Sequence, residues 1–375
     1  MQRRLVFDLR YSADTVRDIS NRYLEALDPR RYRCETVILK GERDAASEAA
    51  IPAQAFHWMN LHRAALSGNR RTAVKRFTAL CHQQQPDLVI AHRFKAVAIM
   101  AQARTDCRFL GYGVIHGIHQ MDRIGRRLFA HRHLRDPVHL IGVSEAVTRD
   151  LRRACGPRKR NLHTLLNCID DAAIRAQLLD RSRARELLGL PVAAPVIGSI
   201  ARLVPTKDLY TLIDAFARLS ARVPACHLCL IGDGPSRGDL ERQARDLGLA
   251  DRVHFAGWRN DACRLLAALD VFALTSVAEG FGLALAEAMA AGVPVVATSA
   301  GGMGEVTGDL APLVPPGDAA AVALSLENLL LLKTDERARL GERLRHRIAS
   351  RFSPAVFHEQ LNALLERTGG EAISD

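Results

Sequence analysis

The stretch Thr275–Glu305, TSVAEGFGLALAEAMAAGVPVVATSAGGMGE, decides how this chain is read. Just before it, Asp270-Val-Phe-Ala-Leu274 is a short apolar run that predicts a buried strand. Past Gly282 the Ala, Leu and Met content predicts a helix, stopped by Gly292 and Pro294. Glu279-Gly-Phe-Gly282 is therefore a strand-to-helix loop, and in open parallel sheets ligands bind outside the carboxyl ends of the strands. Lacking Cβ atoms, Gly280 and Gly282 let a ligand approach the backbone and permit positive φ. Peptide N–H groups at the helix start, helped by the helix dipole, would face a polyanion. Glu279 stands at the mouth of the loop, and Glu287 lies about one and a half helical turns beyond Gly282. That spacing suits one long ligand held at two points, a phosphate on the amides and hydroxyl groups on the carboxylates.

Three more loops of the same kind surround this stretch. Ile200-Ala-Arg202-Leu-Val-Pro-Thr-Lys207-Asp208 joins a predicted strand to a helix that Asp208 could cap, with Arg202 and Lys207 bracketing Pro205. Arg and Lys supply positive charge to a diphosphate leaving group without giving up a proton. Ile231-Gly232-Asp-Gly-Pro235 is no dinucleotide fingerprint, since proline follows the GxG at once. Gly257-Trp258-Arg259-Asn260 offers backbone groups that could read a base edge. Four ligand-type loops at one edge of one sheet argue for a binding site rather than for four tight turns.

The remaining sequence alternates in the same way. Strands are predicted at residues 5–9, 34–39, 87–91, 108–115 and 139–143, with helices at 14–27, 61–85, 96–104 and 145–154 and Ser144 as an N-cap. The charged stretch 170–188 reads as a helical connection. A second series of strands and helices follows, ending in a charged helix at 335–350 and a terminal helix at 354–367. Strands alternating with helices predict α/β architecture, with two Rossmann-like domains of parallel sheet facing each other across a cleft. The expected boundaries are an N-terminal domain, 1–170, and a C-terminal domain, 171–352, with 353–375 packing back on the first.

With 375 residues, 48% hydrophobic and 25% charged, the chain has room for two globular domains. No apolar run approaches the roughly 20 residues needed to span a bilayer, and the N-terminus enters a strand without a leader pattern, so the cytoplasm is expected. Up to Asp170 there are 30 Lys+Arg against 16 Asp+Glu; beyond it, 22 against 25. A basic half beside a near-neutral half points to an anionic partner for one half only. The eight cysteines give no disulfide framework, and the single CxxC, Cys226–Cys229, lies in an apolar strand and reads as core. His116-x-x-His119 and His131-x-His133 resemble metal-ligand spacings, but no carboxylate or cysteine is seen to complete a set, so no metal is expected.

The pieces IARLVPTKD, LIGDGP, VHFAGW, SVAEGFGLALAEAMAAGVPVVATSAGGMGE and LVPPGD, in this order, resemble the family-4 retaining glycosyltransferases of the GT-B fold over residues 195–320. Val114-Ile-His116-Gly117, Gly142-Val-Ser-Glu-Ala146 and Asn167-Cys-Ile-Asp170 are fainter echoes in the first half. The resemblance implies transfer from a nucleotide-diphosphate sugar without metal or cofactor, the nucleotide sugar being a substrate. It implies that Arg202 and Lys207 hold the diphosphate and that Glu287 binds ribose. Glu279 and the Phe281–Leu283 amides would bind the sugar, Gly232, Trp258, Arg259, Gly280, Gly282 and Leu283 would complete the donor site, and His116 would face the reacting sugar. Two departures stand out: Asp8-Leu-Arg10-Tyr-Ser-Ala-Asp14 replaces the usual Gly-Gly loop, and Cys168 replaces a glycine.

The basic residues Arg70, Arg71, Lys75 and Arg76, on the predicted helix 61–85, form one cluster. Arg123, Arg126, Arg127, Arg132 and Arg135 form another, and Arg10 lies in the unusual first loop. They are expected to face an anionic membrane surface, as a peripheral protein would, or a phosphorylated lipid-linked glycan. A UDP-hexose is the expected donor and lipopolysaccharide core, or another surface glycan, the expected acceptor. The alternatives are a sugar-nucleotide epimerase on the same fold and a non-enzymatic basic protein binding nucleic acid or an anionic surface. Against nucleic acid stand the 5% aromatic content and the absence of a recognisable motif.

Overall fold

The computed structural model describes residues 3–14, 17–134, 138–156 and 161–371; Arg135, of the second basic cluster, lies outside them. Two compact units emerge, one built from residues up to Cys168 and from Pro354 onward, the other from Ile169–Ser353. In the first, β1 (Arg4–Arg10), β2 (Tyr32–Ile38), β3 (Ala55–Trp58), β4 (Leu88–His92), β5 (Leu110–Ile115), β6 (Val138–Gly142) and β7 (Leu162–Thr164) form one parallel sheet. Its order is β3-β2-β1-β4-β5-β6-β7, and Val6 of β1 stands between Cys34 and Leu88. The inner strands β4 and β6 are buried along their whole length because helices cover both faces. The helix Arg93–Ala103 packs so closely on β5 that a Cβ at Gly113 would lie 2.7 Å from Val97 Cγ1.

The second unit repeats the pattern. β8 (Val196–Ile200), β9 (His227–Ile231), β10 (Val253–Gly257), β11 (Val271–Leu274), β12 (Val295–Thr298) and β13 (Leu313–Val314) are parallel in the order β10-β9-β8-β11-β12-β13. Its core gathers Ile197, Leu212, Phe216, Leu228, Leu230, Val271 and Leu326. In both sheets the order reverses beside the first strand, between β1 and β4 and between β8 and β11. Such a switch point leaves a crevice outside the strand ends, because the flanking crossover connections run to opposite faces of the sheet.

Several elements differ from the sequence expectation. The helix expected over 61–85 spans only Arg71–Gln84. Gly68 at φ +59° and Arg70 at φ +57° turn the chain left-handed just before it, and Leu61 and Leu66 anchor the preceding loop in the core. The stretch 170–188 is two helices, Asp171–Gln177 and Arg181–Leu188, and it is part of the second unit rather than a linker. Arg185 fixes it there: its fully buried guanidinium donates to Asp270 at 2.9 Å and to the Ala268 carbonyl at 3.0 Å. The short β3 and the helices Ala45–Ala49 and Ile124–His133 were not foreseen, their apolar patterns being brief or interrupted by charge.

The terminal helix Pro354–Glu371 belongs to the first unit. Phe357 meets Tyr23 edge-on at 5.0 Å, Asn362 donates to the Ala26 carbonyl at 3.3 Å, and Thr368 shares a hydrogen bond with Tyr112. None of the eight cysteines is in a disulfide, and burial pushes Cys226 and Cys229 each up to about 12, as inert core thiols. Cys168 is buried, and the adjoining turn delivers Asp170 as N-cap, accepting from the Ala173 amide at 3.0 Å.

Candidate active site

The loops after β8 and β11 meet over the switch point of the second unit. Lys207 Nζ pairs with Glu279 Oε2, and Ser276 Oγ donates to the same carboxylate at 3.2 Å. Lys207 and Glu279 are 72 positions apart, so only the crossing of the two strands unites them. Both side chains are mostly shielded, at 23% and 15% exposure, which makes the pair stronger than a surface ion pair. Arg202 is exposed on the same loop as Lys207, and among the described residues its side chain has no hydrogen-bond or ion-pair partner. An unpaired guanidinium and a lysine carried on one loop are groups that can accept a diphosphate.

Backbone packing holds these loops. Asp208 caps the helix Leu209–Ser220, accepting from Thr211 N at 3.4 Å and Thr211 Oγ1 at 2.7 Å, which presents Lys207 immediately before the helix. Gly232, at φ +141°, lies so close to the first loop that a Cβ would stand 1.9 Å from the Ala201 carbonyl oxygen. Leu203 N reaches Asp233 O at 3.0 Å and Val277 N reaches Thr206 O at 3.0 Å, so three loops form one sheet-edge assembly. Gly301 supports the fourth side: a Cβ there would lie 1.6 Å from the Glu279 carbonyl. Neither Ser276 nor Gly301 was singled out from sequence, although both lie within the organising stretch.

Gly282 adopts φ +95° and starts the helix Leu283–Ala290, whose first peptide groups have no side-chain cap. Phe281 contributes only its backbone, since its ring is 2% exposed and packs on Phe352 at 5.4 Å. Gly280 leads into this turn, Leu283 opens the helix and Glu287 is half-buried on it. After β10, Trp258 is 73% exposed, an amphipathic ring offered at the sheet edge, whereas Arg259 is committed to Asp261 by two hydrogen bonds of 3.0 and 3.2 Å.

In the first unit the corresponding edge carries His116, directly after β5. His92, the last residue of β4, places Nδ1 3.2 Å from His116 Nε2, and its own Nε2 lies 3.4 Å from Asp8 Oδ1. Burial, with Arg93 adding to it, pushes His116 down to about 3; burial also depresses His92, with His116 and Arg10 contributing. Burial lifts Asp8, opposed by Arg10. Both imidazoles are neutral at neutral pH. The nearby carboxylate favours Nε2–H on His92, so His92 Nδ1 accepts from His116 Nε2–H and His116 Nδ1 is left as an acceptor. The sequence signal for His92 and Asp8 was their polarity at or near the ends of apolar strands.

Arg10 does not face the surface as expected. It is the last residue of β1, fully buried and donating to Asp8 and to Asn21 Oδ1 at 2.9 Å, because β1 is an inner strand whose residues 6–10 are buried on both faces. Arg71, Lys75 and Arg76 are exposed on the helix Arg71–Gln84, and Arg127 is exposed with Asp122 3.6 Å away. Arg70 and Arg126 are half-buried and both cover the ring of Phe94, at 5.5 and 4.6 Å from its centroid. The expectation that no carboxylate joins the histidines is also corrected. His119, Asp122 and Asp150 bring ligand atoms within 4.8 Å of one another, because the loop after β5 folds onto the helix Glu145–Cys155. His119 Nδ1 and Asp122 already share a 2.8 Å hydrogen bond.

Two family models match the chain: that described as glycosyl transferases group 1 over residues 180–347, and that described as glycosyltransferase family 4 over residues 22–173. A lipopolysaccharide core biosynthesis glycosyltransferase, LpsE, of Rhizobium meliloti is 36% identical over 197 residues, 52% of this chain and 55% of its own length. An N-acetyl-alpha-D-glucosaminyl L-malate synthase of Bacillus anthracis is 32% identical over 213 residues, 56% of this chain and 54% of its own length. The chain thus spans about half the length of these curated relatives. The crystal structure of Anabaena Alr3699/HepE in complex with UDP and glucose is similar over 97% of this chain and 100% of that one, with TM-score 0.78 and 25% identity. Two matched models, the doubly wound sheet in each unit and the whole-chain likeness lead to one conclusion: the chain belongs to the family-4 glycosyltransferases of the GT-B fold.

Proposed function

We propose that the protein transfers a sugar from a nucleotide-diphosphate donor, a UDP-hexose, to a lipid-linked bacterial glycan such as lipopolysaccharide core, with retention of anomeric configuration. The observation that carries this reading is the convergence of Lys207 and Glu279 across the β8–β11 switch point, beside unpartnered Arg202 and the uncapped helix at Leu283. Arg202 and Lys207 neutralise the departing diphosphate together with the helix amides, so no metal or cofactor is required. Glu279 orients the sugar hydroxyls and Glu287 the ribose. Gly232, Gly280 and Gly282 let the ligand reach the backbone, Trp258 stacks on the base, and Arg259, held by Asp261, shapes the loop around it. His116, neutral with an accepting Nδ1, hydrogen-bonds a hydroxyl of the reacting sugar rather than carrying charge. The proton of the attacking hydroxyl passes to the leaving phosphate oxygen on the same face, and catalysis rests on positioning and electrostatics.

UDP is supported as the donor's nucleotide by what Alr3699/HepE binds, and the acceptor class by the name of the Rhizobium meliloti relative. The N-terminal unit is the acceptor side, and its exposed Arg71, Lys75, Arg76 and Arg127 face an anionic membrane on the cytoplasmic side. Incubation with a panel of UDP-, GDP- and ADP-sugars and bacterial lipid extract, followed by mass analysis, tests the proposal. A mass increment of one hexose with UDP-hexose alone supports it. Interconversion of the nucleotide sugar without any acceptor would instead indicate an epimerase.

A further inference from the structure

Among the described basic residues of the first half, Arg70 and Arg126 are the pair that shares one aromatic ring. Arg70 is the residue before the helix Arg71–Gln84, at φ +57°, and Arg126 comes from the first turn of the helix Ile124–His133. Their guanidinium carbons lie 5.5 and 4.6 Å from the centroid of one ring, Phe94, itself 5% exposed at the start of the helix after β4. Phe129 packs edge-on against the same ring at 5.8 Å, fixing its plane. Two like charges are thus gathered on one apolar platform. Burial lowers the proton affinity of both arginines, and Arg126 lowers that of Arg70 further.

Among the described residues nothing of opposite charge compensates them. Arg126 donates to the Gln120 carbonyl, and Arg70 Nε is a buried donor without a partner. Among the described residues neither arginine has a carboxylate partner. Partial burial of two unneutralised guanidinium groups is costly, and a fold retains it where an anion supplies the missing partner. Phe94 lies two residues beyond His92, the hydrogen-bond partner of His116, so the arginine pair and His116 share one edge of one sheet. The cations fixed there are planar forks, which suit the tetrahedral oxygens of a phosphate.

We propose that Arg70 and Arg126, seated on Phe94, bind a phosphate group carried by the acceptor substrate. This rests on the transferase reading and narrows it: the acceptor is phosphorylated, and the phosphate is read by the two arginines held on Phe94 rather than by the exposed surface charges. Exposed Arg71, Lys75 and Arg76 make the looser contact with a bilayer.

Calorimetric titration of the full chain with inorganic phosphate tests this, with UDP present at saturation to occupy the donor loops. One phosphate should bind, more weakly as salt rises. Arg70→Gln and Arg126→Gln should each weaken it at least tenfold, and Arg71→Gln with Lys75→Gln should leave it unchanged. Arg70→Lys should recover part of the affinity, because charge remains without the fork. If Arg126→Gln fails to fold for want of its bond to Gln120, Arg126→Lys and Arg70→Gln carry the comparison. Co-sedimentation with anionic liposomes separates the sources of phosphate: the arginine pair should matter for free phosphate and little for vesicles. Phosphate affinity unmoved in Arg70→Gln, or a loss confined to vesicles, overturns the proposal. A chain that binds no UDP would sink the transferase reading alone; the titration is then read in Lys207→Ala, where the donor loops are disabled.

Discussion

Lys207 and Glu279 form a half-buried pair, and under the proposed function each also contacts the donor. Removing either leaves its partner partly desolvated and unpaired, and a charge-assisted hydrogen bond of this kind is worth about 1.5–3 kcal/mol. Lys207→Ala and Glu279→Ala are each expected to abolish sugar transfer while far-ultraviolet circular dichroism stays native. Near-normal turnover in either variant would remove that residue from the mechanism. His116 and His92 carry a different signature. Both titrate below the ordinary histidine range in the folded chain, His116 at about 3, whereas the unfolded chain protonates them near 6.5. Protons therefore bind preferentially to the unfolded state between these values, so the stabilisation is complete above about pH 6.5 and is lost as the pH falls toward 3. Burial of Asp8 acts with the opposite sign. Urea midpoints measured at pH 7.5 and pH 5 should fall for the parent chain and fall less for His116→Asn; equal slopes would show that His116 does not contribute.

At the scale of elements, the loops at the edge of the second sheet are positioned by backbone contact more than by side chains. Gly232 and Gly301 are where two loops touch with no room for a methyl group, at 1.9 and 1.6 Å to the opposing carbonyl oxygens, and both take positive φ. Gly301→Ala must push the Glu279 backbone away. It is expected to lower donor affinity at least tenfold and to cost about 1–3 kcal/mol, the range for a strained backbone. Thermal unfolding with and without UDP reads both effects. Among the elements, the organising strand–loop–helix was fully legible, because an apolar run, glycines and a helix-forming run follow one another without interruption. The helix expected from residue 61 was not: buried Leu61 and Leu66 mimic a helical face but anchor turns ahead of Arg71. Periodicity cannot separate these two uses of a leucine.

For the whole molecule, two features matter: uneven charge and a terminal helix that joins the first unit. The excess of Lys and Arg before residue 170 predicts sedimentation with anionic liposomes and release as salt rises past physiological strength, since screening shortens the range of exposed charges. Arg71→Gln combined with Lys75→Gln and Arg76→Gln should reduce it severalfold; salt-insensitive binding to neutral vesicles would contradict this. The terminal helix acts through packing. Phe357 is 2% exposed against Tyr23, so Phe357→Ala should cost about 3–5 kcal/mol, the usual range for a buried phenylalanine. The loss should fall on the first unit, leaving UDP binding intact in partly denatured protein.

The sequence alone determined the α/β class, the two-series order and the four loops of the second half. Each of these depends on residues that are neighbours along the chain, where periodicity and glycine chemistry act. Only the tertiary structure decided which side chains meet. It joined Lys207 to Glu279 and His92 to His116, drove Arg10 into the core beside Asp8, set Arg70 and Arg126 on one ring, and gathered two aspartates around His119. Those pairings depend on strand order and on the face toward which a residue turns at a strand end. Both are set by contacts between segments far apart in sequence, which local pattern does not encode.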